Sequence, residues 1–232
     1  MEEPRPAWRR PTVAAGLGWA VVMVALICAS LLDLRLRAVG RGDLMEFLSP
    51  GGAVFTVAIL SAATVGAALM TRRPRHPVGW LFLGLAMAVT VLGSTDEYAA
   101  YGAVARPGAL PAARLVGMLG QAAHAPWLVL VTLVMLLTPT GRPPSPRWRP
   151  LQWVSVISGG LLFVLIMISS RNLQAPMEGL KSPLAWAPGA PVIAVLRRVA
   201  GIFTTVAAVV AASSLVFRLR SATEEERLQL RW

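Results

Sequence analysis

The sequence predicts an all-α integral membrane protein: a six-span transmembrane helix bundle with both termini cytoplasmic. Three observations carry that reading. Hydrophobic residues make up 56% of the 232 residues and charged residues only 14%, with mean hydropathy +0.62; a soluble domain carries roughly 25% charged residues. The apolar residues fall into six uncharged runs, each near the ~20 residues that cross a bilayer as a helix. Between the runs lie short arginine clusters, and cytoplasmic loops are the ones that collect Lys and Arg.

Residues 1–11 form a cytoplasmic N-terminal segment with Arg5, Arg9 and Arg10. It resembles the charged start of a signal peptide, but the apolar run after it is too long, so an uncleaved span is expected. The membrane domain covers 12–217. Span one is 12–32, ended by Asp33 and Arg35. Its Cys28 is the only cysteine, which excludes an intramolecular disulfide. Span two is 53–71, with Ala62, Gly66 and Ala67 as a small-residue packing face. Arg72, Arg73 and Arg75, with Pro74 and Pro77, stop it on the inner side. Span three is 78–95. Asp96 and Glu97 follow and are expected at a solvated outer loop end, with Tyr98 and Tyr101 in the interfacial aromatic belt. Pro107-Gly108 marks a turn.

Span four is 115–137, with Pro126 as a kink point. The segment from Leu136 to Pro150 then holds five prolines, one glycine and three arginines and no acid. Five prolines forbid a continuous helix. Three arginines without a counter-charge in the segment cannot sit in hydrocarbon. This is therefore a water-exposed inner turn, with Arg142, Arg147 and Arg149 setting topology. Span five is 151–170. An irregular outer loop with Pro176, Pro183 and Pro188 leads to span six, 199–217, whose helix can start as early as Pro191. Arg197 and Arg198 then lie at the outer interface, where long side chains snorkel. Residues 218–232 form a cytoplasmic tail, expected to continue span six for about a turn and then fray. With the N-terminus inside, inner segments hold thirteen of the 22 Lys and Arg and outer segments nine. The sign fits the positive-inside rule.

The net charge of +11 does not point to nucleic acid, because the cations are split among membrane boundaries. No enzyme constellation is present. Two histidines and one cysteine are too few for a usual metal site, and no phosphate-binding glycine motif occurs. The chain is read as non-enzymatic, with no metal and no cofactor. Gln121 and His124 are the only polar pair deep in a span. They share a helix face and are expected to face the bundle interior, either as an interhelical hydrogen bond or as a ligand or proton site. His76, in a basic Pro-rich loop, is expected to be solvated.

Four blocks carry a family resemblance. Arg72-Arg73-Pro74-Arg75-His76-Pro77-Val78-Gly79-Trp80-Leu81 resembles the "RRPRNPIGWL" that opens a span in actinobacterial sensor histidine kinases. Tyr98-Ala99-Ala100-Tyr101-Gly102 with Pro107-Gly108-Ala109-Leu110-Pro111 resembles that family's next outer segment. The stretch from Thr138 to Trp148 resembles "FPDGRLPSPRW", and Glu226 to Trp232 resembles "ERQQLRW". His76 replaces the family's asparagine, and Thr140 its aspartate.

The resemblance implies a sensory or anchoring membrane region. It does not extend to a phosphoacceptor helix or an ATP-binding domain. The expected role is thus the input and anchoring module of a two-component sensor in the plasma membrane, as a truncated or split product. Its implied partners are the lipid bilayer, a kinase output domain and a second copy. The alternative is a stand-alone multi-span protein that binds or transports a small lipophilic ligand.

Overall fold

A computed structural model describes residues 11–44, 47–169, 173–174, 177–180 and 182–221. Six helices are long and apolar enough to cross a membrane. They are α1 (Pro11–Ala38), α2 (Pro50–Arg72), α3 (Pro77–Ala99), α4 (Ala113–Leu137), α5 (Arg149–Met167) and α6 (Ala190–Ser221). The protein is a multi-pass membrane bundle.

Local chemistry sets the ends. Ser49 caps α2 by accepting the Gly52 N–H at 3.0 Å, and Pro50 occupies the first helical position, where a missing N–H costs nothing. Pro77 starts α3 in the same way. α4 ends at Leu137, where Thr138 takes an extended backbone, and Gly141, with φ +75°, turns the chain so that its N–H donates to the Leu137 carbonyl at 2.7 Å. That left-handed turn is the one glycine adopts without steric cost. Pro126 lies inside α4 without ending it, as happens where neighbouring helices support the backbone.

The helices pack as two groups of three. α1, α2 and α3 touch one another, as do α4, α5 and α6, and the seam between the groups is α3 against α4. Small residues allow the close approaches. A Cβ on Gly66 would sit 2.6 Å from the Leu83 amide nitrogen, and one on Gly79 would sit 3.0 Å from the Met70 nitrogen. α2 and α3 therefore meet backbone to backbone, the packing that lipid solvent favours because burial of apolar surface no longer drives association. α1 and α3 run parallel: Gly18 lies against Leu83, and the Ser94 hydroxyl donates to the Ala25 carbonyl at 3.1 Å. The outside of the bundle is apolar, with Leu17, Val24, Val57, Ile157, Ile202 and Val209 exposed. Cys28 is free and exposed on this surface.

The helices exceed the hydropathy runs. α1 continues past Leu32 to Ala38, because Asp33 and Arg37 pair one turn apart and so tolerate the helix end. α3 does not stop at Thr95. It runs through Asp96 and Glu97 and passes into a wider helical turn over Ala100–Ala105. α6 starts at Ala190, nine residues before the apolar run read from the sequence. It is helical to Ser221, the last described residue. The fraying expected of the tail falls on 222–232, outside the described residues.

Candidate functional site

Gln121 and His124 lie on the outer half of α4, and the structure gives them different jobs. Gln121 is a clamp. Its amide nitrogen donates to the Gln174 carbonyl at 3.1 Å, and its carbonyl oxygen accepts the Gln174 N–H at 3.1 Å. The side-chain amide thus donates to and accepts from the backbone of one outer-loop residue. His124 is exposed rather than turned into the bundle. Its Nδ1 stands 3.2 Å from the Gln121 carbonyl, and its ring meets Trp127 edge to face at 6.5 Å. The physical reason is local. Gln121 satisfies itself on the loop, which leaves His124 at the mouth of a cavity instead of against a neighbouring helix.

That cavity has a volume of about 260 Å³. α4 contributes Gln121 and His124, α5 contributes Ile166, and α6 contributes Arg197. Ser169, Leu173, Gln174 and Ser182 close it from the loop side. Six of the eight residues carry polar side chains, while apolar atoms make up most of the wall. Arg197 is half-buried in this wall, whereas Arg198 is exposed, so only one of the two behaves as an interfacial cation.

The outer loop is more than a connector. Met177 is fully buried against Gly117 and Met118, and Leu173 is nearly so. The Ser182 hydroxyl lies 2.8 Å from the Met118 sulfur and 3.1 Å from the Met167 carbonyl, and it accepts the Leu184 N–H at 3.3 Å. The loop therefore re-enters the top of the bundle and plugs it. Its prolines and short polar residues signalled irregularity, but no local signal marked Met177 as a core residue.

A second constellation was read wrongly from the sequence. Asp96 and Glu97 do not lie in a solvated loop. Glu97 is fully buried, and neither of its carboxyl oxygens has a hydrogen-bond partner. Asp33, from α1, is also fully buried and lies within electrostatic reach of Glu97, as do Asp96 and Arg37. Asp33 accepts Arg37 Nε at 3.0 Å and the Leu48 N–H at 3.1 Å on the same oxygen, while its other oxygen is unpartnered. Asp96 points instead toward α4, where Gly120 leaves room for it and for Thr95. The helix turned two adjacent acids toward different neighbours. Among the described residues no three His, Cys, Asp or Glu side chains could hold a metal ion together.

The six inner arginines, Arg72, Arg73, Arg75, Arg142, Arg147 and Arg149, are all exposed. Arg73, Arg75 and Arg142 share one cavity, which also takes in His76. His76 is only partly solvated: its Nδ1 is buried and lacks a partner. Arg149 lies instead at one end of an apolar groove between α5 and α6. No family model, no curated protein and no solved structure matches the chain.

Proposed function

We propose that the chain is the membrane-embedded input and anchoring module of a two-component sensor in the plasma membrane. The observation that carries this reading is the course of α6. Arg197 lines the outer cavity, and the same helix continues unbroken to Ser221. Twenty-four residues of helix span about 36 Å, more than the ~30 Å hydrocarbon core. A molecule seated in the cavity touches α4, α5, the loop and α6 together. Any difference in its affinity for two positions of α6 is delivered at the far membrane face. The four sequence blocks add the class of output, a histidine kinase.

The test is reconstitution of the whole chain in nanodiscs with a histidine-kinase output domain supplied in trans. The reading expects a complex and a several-fold change in autophosphorylation that Gln121→Ala alters. No complex together with an unchanged rate would sink it. A second reading is favoured by the cavity itself: a stand-alone protein that binds a small ligand. A thermal shift with a small ligand, lost in His124→Ala, and no response to any kinase domain would favour it.

A further inference from the structure

The two inner turns, 66 residues apart in sequence, form one site. The turn after α2 is tight: the His76 N–H donates to the Arg73 carbonyl at 2.9 Å, and Trp80 Nε1 donates to the Pro74 carbonyl at 3.2 Å. The turn after α4 is held by the left-handed Gly141 and by the Thr140 hydroxyl, which donates to the Arg142 carbonyl at 3.2 Å. They are in contact. A Cβ on Gly141 would lie 2.8 Å from Pro77 Cδ and 3.3 Å from His76 Nε2.

Between them is a cavity of about 630 Å³ lined by Arg73, Arg75, His76, Thr140, Gly141 and Arg142, with no acid in its wall. Neither inner segment, 72–77 nor 138–150, contains an Asp or Glu. Arg73 and Arg75 line it from one turn and Arg142 from the other. Positive-inside topology asks only for cations on the inner side; it does not ask that two loops bring them round one cavity. α3 begins in the same wall, and His76 makes no side-chain cap to it. Its first-turn N–H groups and positive helix end therefore add to the field of the arginines. Planar guanidinium forks match the oxygens of a phosphate.

We infer that this cavity binds a phosphate group at the inner membrane face, borne either by an anionic phospholipid headgroup or by a soluble phosphorylated anion. The site stands independently of the sensor reading. It uses the turn geometry that joins the two halves of the bundle, so occupancy braces α2 and α3 against α4.

The test uses the full chain in nanodiscs. One arm compares phosphatidylcholine discs with discs that also contain phosphatidylglycerol. The other adds inorganic phosphate to phosphatidylcholine discs. Readouts are the melting midpoint and native mass spectrometry of retained lipid. Two charge-matched double variants are compared: Arg75→Gln with Arg142→Gln, inside the cavity, and Arg147→Gln with Arg149→Gln, outside it. A rise in melting midpoint with phosphatidylglycerol, weakened about tenfold or more in affinity by the first pair and little by the second, supports the site and a lipid source. The same pattern with inorganic phosphate supports the site and a soluble source. Equal losses in both pairs reduce the effect to general surface charge and overturn the proposal. So does binding of neither probe.

Discussion

The two ends of the bundle carry their polar groups in opposite ways. At the outer end they are drawn inside. Asp33 and Glu97 are fully buried, Gln121 is clamped to the loop, and Ser182 and Met177 plug the top. At the inner end they stay outside, where six arginines are exposed along two turns. The outer end thus depends on specific partners, and leaving a buried group without one is costly. The inner end depends on exposed charge and its place, which water supports. Substitutions at the outer end should cost stability. Substitutions at the inner end should change orientation and anion binding while stability stays near its starting value.

The largest effect is expected at Asp33. Asp33→Ala removes the acceptor of both Arg37 Nε and the Leu48 N–H. Arg37 is 44% exposed and can rehydrate, so the loss is below that of a wholly buried pair. A destabilisation of about 2 kcal/mol is expected, read from detergent unfolding midpoints. A change within noise would remove the outer end from the argument.

Gln121→Ala comes next. It breaks two hydrogen bonds to the backbone of Gln174 in the loop, for about 1–2 kcal/mol. Hydrogen exchange at Leu173 and Leu180, paired at 2.9 Å, should quicken while α2 stays protected. Uniform quickening over all helices would mean that the clamp holds the whole bundle rather than the plug.

Glu97→Met sharpens the comparison from the other side. The native carboxyl group has no hydrogen bond to lose, and replacing an unsatisfied buried acid by an apolar group of similar size is often neutral or stabilising. The variant should melt no lower than the native protein. A clear fall would mean that Glu97 has a partner in the membrane, and its identity would then be worth pursuing by double-mutant cycles with Asp33 and Arg37.

The smallest effect on stability is expected at the inner end. Arg142, Arg147 and Arg149 replaced together by Gln should move the unfolding free energy by less than about 0.5 kcal/mol each. Orientation is the sensitive readout. Reporters fused after Gly141 and after Gly108 should read inside and outside in the native chain, with mixed readings in the triple variant. Opposite readings in the native chain would invert the outer and inner labels used here.

Not all of this was equally legible. The six helices can be read from hydropathy because lipid satisfies no backbone polar group, so each crossing has to be an apolar helix of a set length. Gly66 could be named as a packing residue for a related reason: small side chains are what let helices approach in lipid. The candidate site was legible only in its membership. Gln121 and His124 stand out as polar residues in an apolar run, yet nothing in the run says that one meets Gln174 and the other faces outward. Asp96 and Glu97 were misread because a charge pair beside two tyrosines has the composition of an interface.

By itself, then, the sequence determined the class of the protein, the number of crossings and the connections in which arginine gathers. Each follows from one segment and its solvent, without reference to any other segment. Only the tertiary structure decided which helices are neighbours, and the polar sites follow from that. Asp33 reaches Glu97 because α1 and α3 lie parallel. Met177 is core because the outer loop folds back onto Gly117. Arg73 and Arg142 share a cavity because α3 and α4 form the seam between two three-helix groups. Those contacts join residues tens of positions apart, and their energy exists only after the helices have packed.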